Sequence, residues 1–412
     1  MSAHAANSLN TQVVIVGAGQ AGLSLSYLLR QRNIDHVVLE RGRIAESWRS
    51  QRWDSFCLVT PNWTVRLADA GYGGAEPDGF MGKAELVALI ERYASAAALP
   101  VHTGINVTRA SLSNDGWRVA SADDKVWHAT TLVVATATHQ LPRFPDVKAQ
   151  CESVHHVHAA DYRNPAQLSA GEVLVVGSGQ SGVQIADELN RAGRQVTLAT
   201  SRVGRVPRTY RGRDSIAWQA QMGFLDRHAD ALDSPEDRFR ADPMLSGYDG
   251  GRTMDLRELA ARGIQLAGRL ESATSGRLHF TDELNENMRF ADAFAERFEQ
   301  AVDQLIVERE LRVPHALAGP ALALPSAINS VATGPGGIEV IVWATGFARD
   351  LSWLHAPVPF DRCGYPEQRN WHCGLPGLHF LGFNYLEHRR SGILYGAGVE
   401  ARALADRLTH DS

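Results

Sequence analysis

The stretch Val13 to Gly22, Val-Val-Ile-Val-Gly-Ala-Gly-Gln-Ala-Gly, leaves this chain few folds to choose from. Val13 to Val16 is an apolar, β-branched run, suited to a strand buried on both faces of a parallel sheet. Gly17, Gly19 and Gly22 follow in the spacing G-x-G-x-x-G. The first glycine allows a tight turn. The second lets the backbone approach a pyrophosphate, and the third lets a helix pack closely on the strand. Gln20 and Ala21 open that helix, and Leu23, Leu25, Leu28 and Leu29 continue it, so its N-terminus points at the phosphates. A second strand, His36 to Leu39, ends at Glu40, where an acid reaches ribose hydroxyls, and Arg41 follows. Strand, loop, helix, strand and acid together predict a dinucleotide site built from Gly17, Gly19, Gln20, Ala21, Gly22, Glu40 and Arg41.

The same unit occurs again 160 residues later. Val173 to Gly182 reads Val-Leu-Val-Val-Gly-Ser-Gly-Gln-Ser-Gly, followed by a helix with Ile185 and Leu189 and a strand from Val196 to Ala199. Gly177, Gly179, Gln180, Ser181 and Gly182 are its candidate phosphate-binding residues. The position matching Glu40, 23 residues past the first loop glycine, is Thr200, and Ser201 and Arg202 come next. An arginine in place of an acid suits a 2′-phosphate, so this unit is expected to prefer NADPH to NADH through Ser201 and Arg202. Arg205, Arg208, Arg211 and Arg213 extend a basic run that also reads as a solvated face or a general anion patch.

The 412 residues exceed one ordinary core, and the 44% hydrophobic and 21% charged content is that of a globular protein. A net charge of −5 argues against a general nucleic-acid binder. The cysteines, Cys57, Cys151, Cys363 and Cys373, form no C-x-x-C, which argues against a zinc ribbon or a redox dithiol and suits free thiols in a cytoplasmic protein. Met1 to Asn10 carries no Lys or Arg and no long apolar run, so it reads as a lead-in to the first strand and not a signal peptide. No apolar run approaches the length that spans a bilayer. Arg41 to Trp63 interleaves Trp48, Trp53, Phe56 and Trp63 with Arg43, Arg49 and Arg52. Those aromatics either plug the domain or wall a flat, partly anionic cofactor. Lys83 to Leu99 reads as an amphipathic helix, and Val101 to Val107, Trp117 to Ala120 and Val126 to Ala129 as short strands of a small antiparallel layer. Thr131 to Thr138 and Ile338 to Phe347 read as buried strands that end in the similar stretches Ala135-Thr136-Ala137 and Ala344-Thr345-Gly346. Glu286 to Glu310 is a long helix with Phe290, Phe294, Phe298 and Val302 at i+4. His155, His156 and His158 lie in a linker with no Cys, Asp or Glu cluster beside them, so no metal site is expected.

The pair of loops, with Glu40, His158 to Pro165, Ala344-Thr345-Gly346 and the strand and helix from Leu378, resembles the two-domain flavoprotein disulfide-reductase superfamily. The finer resemblance is to class B flavin-dependent monooxygenases of the dimethylaniline and YUCCA types, and it spans nearly the whole chain. It implies an α/β fold with two nested Rossmann-like dinucleotide-binding domains. Residues 1–167 and 335–412 would form the FAD domain, and 168–334 an inserted NADPH domain. It implies FAD on the first loop, NADPH on the second, and a small organic substrate and O2 as partners, oxygenation running through a flavin C4a-(hydro)peroxide. Trp48, Ala135 and the segment with Arg390 and Leu394 would border the flavin. An Asn near the flavin helps hold the oxygenated intermediate in dimethylaniline-type members. Here Leu58-Val59-Thr60 matches the preceding pattern, Pro61 occupies the position itself, and Asn62 is the catalytic candidate, set against a plain turn residue. The sequence departs from the family by lacking Phe-x-Gly before His158 and by carrying Ala137 where Gly is usual. An NADPH-dependent reductase or oxidase without stabilised oxygenated flavin is the alternative. A redox sensor or anion-binding protein using Arg202 to Arg213 is a third, and a homo-oligomer is left open.

Overall fold

The computed structural model describes residues 8–151, 154–317 and 322–410. Most of the proposed lead-in, residues 1–7, lies outside the described residues, while Ser8 to Asn10 already belong to the first strand.

Two sheets carry the chain. The first contains β1 (Ser8–Val16), β2 (His36–Glu40), β3 (Val101–Thr103), β4 (Val107–Ser113), β5 (Gly116–Ser121) and β6 (Val126–Val134). The second contains β7 (His155–His158), β8 (Glu172–Val176), β9 (Val196–Ala199), β10 (Gln265–Ala267), β11 (Ala327–Ile328) and β12 (Ile338–Trp343). The chain then returns to the first sheet with β13 (Leu354–His355) and β14 (Leu378–Phe380).

In the first sheet the order is β13-β4-β5-β6-β1-β2-β3, with β14 also on β6. β1 lies parallel between β2 and β6, with Val13 opposite both His36 and Thr131. All of Val13 to Val16 is buried, Val14 and Ile15 completely. Such a strand cannot alternate polar and apolar, because helices and loops cover both of its faces. β6 joins two stretches that read as separate strands. Its first half pairs antiparallel with β5 and its second half parallel with β14, while β1 runs along its other edge throughout. The Thr130-Thr131 step inside it does not interrupt a strand whose partners run past it.

The second sheet is wholly parallel, in the order β7-β12-β8-β9-β10-β11. β7 and β12 pair with each other, His158 opposite Trp343, and β12 lies directly beside β8. Residues 155–158 and 338–343 therefore stand in the second sheet, although boundaries at 167/168 and 334/335 assign them to the first unit. We propose that the crossings fall after β6 and after β12 instead. Apolar runs such as Ile338 to Trp343 do not state which sheet they join. The helices α1 (Gln20–Gln31), α2 (Lys83–Ala96), α3 (Gln180–Arg191), α4 (Leu284–Glu308) and α5 (Ala397–His410) complete the layers. Among the described residues no helix is long and apolar enough to cross a membrane.

The two glycine loops repeat each other closely. Gly17 has φ +113° and Gly177 φ +102°, a region where a side chain is strained. A Cβ on Gly17 would lie 2.6 Å from the Ala135 carbonyl oxygen, and one on Gly177 would lie 2.7 Å from that of Ala344. The amides of Ala135 and Ala344 donate to the carbonyls of Val16 and Val176, both at 2.9 Å. The two Ala-Thr stretches are thus equivalent parts, one per unit, and Ala344-Thr345-Gly346 serves the second. Ala137 has φ +58° and Gly346 φ +79°, so the alanine departure is a residue held in the left-handed region.

A Cβ on Gly22 would meet the Gly17 carbonyl oxygen at 2.1 Å, whereas one on Gly19 would meet nothing within 4 Å. Gly22→Ala is therefore expected to destabilise the apoprotein by about 3 kcal/mol. Gly19→Ala is expected to leave the apoprotein's melting temperature unchanged while lowering its flavin content. Thermal melts of the apoproteins, together with the flavin-to-protein ratio of each variant as purified, check both.

Candidate functional site

In a parallel sheet, ligands sit beyond the carboxyl ends of the strands, where helix N-termini gather. Both sheets here turn those ends toward one cleft of about 1920 Å³. Gly17, Gly19, Gln20 and Ala21 line it from the first loop, and Gly179, Gln180 and Ser181 from the second. Glu40, Arg41, Trp48, Ala135 and Leu394 line it too, so these sequence candidates are brought together. Gly22, Gly177 and Gly182 lie beneath the loops. A Cβ on Gly182 would approach the Gly177 carbonyl oxygen to 1.8 Å, which makes this glycine a packing residue.

Each helix N-terminus is tied to the opposite wall by a glutamine. Gln20 Oε1 accepts from Trp48 Nε1 at 3.1 Å. Gln180 Nε2 donates to the Pro243 carbonyl at 3.0 Å, and Gln184 Nε2 to that of Leu245 at 2.7 Å. Glu40 accepts from the amides of Ala18 and Gly42, each at 2.8 Å, so its carboxylate is fixed at the end of β2. The Gly19 amide region lies open to the cleft with no side chain in front of it, which fits a phosphate of a dinucleotide.

The basic run after β9 is mostly consumed inside the protein. Arg205 pairs with Asp292 and Asp255, Arg208 with Asp214, and Arg211 with Asp303. Arg213 donates to Gln221. A general anion patch over Arg202 to Arg213 is therefore not what the structure contains, because acids that sequence spacing cannot reveal come from α4 and neighbouring turns. Arg202 and Arg213 stand exposed in that run, Arg202 3.7 Å from Glu286 and 5.2 Å from the Phe290 ring centre. The Ser201 amide donates to the hydroxyl oxygen of the buried Ser178 at 3.0 Å. Both lie at the rim beyond the cleft.

Asn62 and Arg390 do not line the cleft. Asn62 is buried, its Nδ2 donating to the Glu76 carbonyl at 2.9 Å and its Oδ1 accepting from the Met81 amide at 2.7 Å. Those bonds hold the turn after Thr60, and the side chain does not line the cleft. Of the two readings given for Asn62, the structure supports the turn residue. Arg390 points away from the cleft and pairs with Glu400 and Asp226. Its neighbour Arg389 lines the cleft and pairs with Asp242.

The linker histidines are held structurally. His158 Nδ1 accepts from the Ala160 amide at 3.1 Å, and its Nε2 donates to the Gly346 carbonyl at 3.1 Å. His156 accepts from Trp343 Nε1 at 3.0 Å and donates to the Cys151 carbonyl at 2.9 Å. Burial lowers the pKa of both. Among the described residues no cluster could hold a metal ion.

Sequence spacing gave no roles to Arg52 and His139. Both line the cleft. Crowding by the cleft walls, then the Arg52 charge, holds the His139 pKa down to about 4, so it is neutral at ordinary pH. The guanidinium of Arg52 lies 5.1 Å from the Trp48 ring centre and 5.5 Å from that of Phe56. The alternation of Arg with Trp in 48–56 was the available signal.

Residues 14–216 match the family model described as pyridine nucleotide-disulphide oxidoreductase. The chain is 28% identical over 403 residues to a CzcO-like oxidoreductase of Geobacillus kaustophilus (strain HTA426), covering 97% of this chain and 98% of that one. It is 32% identical over 189 residues to the indole-3-pyruvate monooxygenase YUCCA1 of Oryza sativa subsp. japonica, 45% of this chain and 46% of that one. Among solved structures it superposes on a flavin-containing monooxygenase from Stenotrophomonas maltophilia with a TM-score of 0.67. That pair is 20% identical and the match covers 98% and 99% of the two chains. It also superposes on OTEMO, solved in complex with FAD and NADP, with a TM-score of 0.57 at 16% identity, over 97% of this chain and 85% of that one.

Replacing Asn62 with Ala removes two buried backbone partners. The expected cost is about 2 kcal/mol or more, read as a lower melting temperature, with the fraction of NADPH that ends as H2O2 little changed. A normal melt with a large rise in that fraction would restore Asn62 to the site.

Proposed function

We propose that the chain is a class B flavin-dependent monooxygenase that inserts one atom of O2 into a small organic molecule. It is an oxidoreductase with FAD and NADPH as cofactors. One observation carries the reading: Gly19 and Gln20 from one loop and Gly179 and Gln180 from the other line a single cleft. Two such loops in separate clefts could bind two dinucleotides but could not pass a hydride between them.

When bound, the flavin supplies the redox chemistry, accepting hydride from NADPH and activating O2. The chain's own residues bind and orient. In our reading the amides at the start of α1 take the FAD pyrophosphate, and Glu40, fixed by Ala18 and Gly42, accepts from ribose hydroxyls. Trp48, held by Gln20, walls the flavin side. The start of α3 takes the NADPH pyrophosphate, and Ser201 and Arg202 the 2′-phosphate. Arg202 is exposed, with a long contact to Glu286 and the Phe290 ring beside it, so it turns to a phosphate at little cost. The aromatic walls keep water from the reacting centre. The free cysteines suit a reducing compartment, and we place the protein in the cytoplasm.

The reductase or oxidase reading keeps one observation in its favour. Asn62, the family's candidate for holding the oxygenated state, is committed to backbone. The two readings differ in the fate of O2. With a substrate panel, oxygenation predicts NADPH consumption that exceeds H2O2 release for at least one compound, with one oxygen atom from labelled O2 in the product. Equality of NADPH and H2O2 for every compound would support the oxidase.

The cofactor assignment has its own test. Arg202→Ala is expected to raise the KM for NADPH about tenfold or more, and that for NADH little, since a charge-assisted bond is worth about 1.5–3 kcal/mol. Equal changes in the two KM values contradict the 2′-phosphate role.

A further inference from the structure

We propose that Arg52 is an anion anchor that selects a substrate bearing a carboxylate. The proposal deepens the monooxygenase reading and rests on it for the word substrate. A guanidinium inside a protein is ordinarily paired with an acid, because desolvating an unpaired charge is costly. Arg52 has no acid partner among the described residues, and its one side-chain hydrogen bond is from Nη1 to the carbonyl of Gln51 at 2.8 Å. Of the other cleft arginines, Arg238 pairs with Asp361, Arg240 with Asp237 and Arg389 with Asp242, Arg349 donates to the carbonyls of Cys363 and Gly364, and Arg41 and Arg143 stand exposed to water. Trp48 and Phe56 lie against the Arg52 guanidinium and fix its orientation, leaving its remaining N–H groups for a ligand. Burial alone brings its pKa down to about 10, still charged at neutral pH.

A second observation falls on the neighbouring residues. Gln51 and Thr138 each bury a side-chain oxygen with no hydrogen-bond partner, and both line the cleft. Gln51 precedes Arg52 in the chain, and Thr138 precedes His139, which lies close enough to Arg52 to feel its charge. Unpartnered buried polar groups call for a ligand or water to satisfy them. The guanidinium fork, the Thr138 hydroxyl and the N–H of the neutral imidazole are together a donor set for a carboxylate, while the bare Gln51 oxygen accepts from a water or an N–H or O–H of the same ligand.

Position separates this anion from those of the cofactors. Trp48 links Arg52 to Gln20 at the start of α1. On the other side His139 feels both Arg52 and Asp242, and Asp242 precedes Pro243, which Gln180 holds at the start of α3. Arg52 therefore lies between the two helix N-termini, each of which already offers amides to a pyrophosphate. The walls around it, with Trp53 and Phe56 buried, favour an organic acid over a bare phosphate.

The test uses the FAD-loaded enzyme, and its ligand titrations need no turnover. Benzoate and 4-phenylbutyrate, each beside its uncharged amide, are titrated while the flavin absorbance is followed. At least one acid is expected to perturb the spectrum with a Kd about tenfold or more below that of its amide. Arg52→Gln is expected to weaken that acid about 10- to 100-fold and leave the amide within about twofold, and Arg52→Lys to recover part of the loss. FAD content and the KM for NADPH should stay at wild-type values. Loss of FAD, or a raised KM for NADPH, in Arg52→Gln would assign the cation to a cofactor and overturn the proposal. Equal binding of acid and amide, or no acid binding at all, overturns it as well. A failure of the monooxygenase reading registers elsewhere, in the fate of O2, and leaves these binding constants untouched.

Discussion

The approach of one helix to one strand carries the rest of this structure. The backbone of α1 comes so near the turn at Gly17 that no side chain fits at Gly22, and α3 repeats this against Gly177 at Gly182. That contact aims each helix N-terminus, with its unsatisfied amides and partial positive charge, at the end of its own sheet. Without it neither helix would present its first amides to the cleft. The strands that feed the turns are buried on both faces, so the loops stand on rigid supports.

A second constraint joins the two units. β7 and β12, the strands by which the chain enters and leaves the second sheet, lie side by side, and His158 bonds the carbonyl of Gly346 just beyond them. The amides of Glu188's neighbourhood are helical, but its carboxylate accepts from Tyr162 at 2.6 Å and Ser55 at 2.5 Å, tying α3 to the aromatic segment of the first unit. Arg208 likewise reaches the Val59 carbonyl at 2.7 Å. The cleft is thus held from several directions by buried polar bonds, whose loss leaves desolvated groups behind.

The sequence made one part of this legible and hid the rest for physical reasons. Glycine spacing reports backbone geometry directly, so Gly17, Gly22, Gly177 and Gly182 could be read for what they do. The place of Glu40 at the end of β2 followed from a fixed count along a strand. Sheet membership could not be read, because Ile338 to Trp343 is equally apolar in either sheet. Thr131 inside β6 looked like a strand start because pairing partners on its edges are not visible in one sequence. Asn62 resembled a site residue because its neighbours did, yet its amide turns to Glu76 and Met81. The acids that neutralise Arg205 and Arg211 lie on α4, far along the chain. Arg52 was in view among the aromatics, but only three-dimensional structure reveals a charge with no acid beside it.

The central claim is that the two loops hold their dinucleotides across one cleft, close enough for hydride to pass. Anaerobic rapid mixing of the FAD-loaded enzyme with NADPH tests it most directly. The account predicts bleaching of the oxidised flavin absorbance at a rate no slower than turnover, saturating with NADPH. A flavin that stays oxidised under saturating NADPH would contradict it.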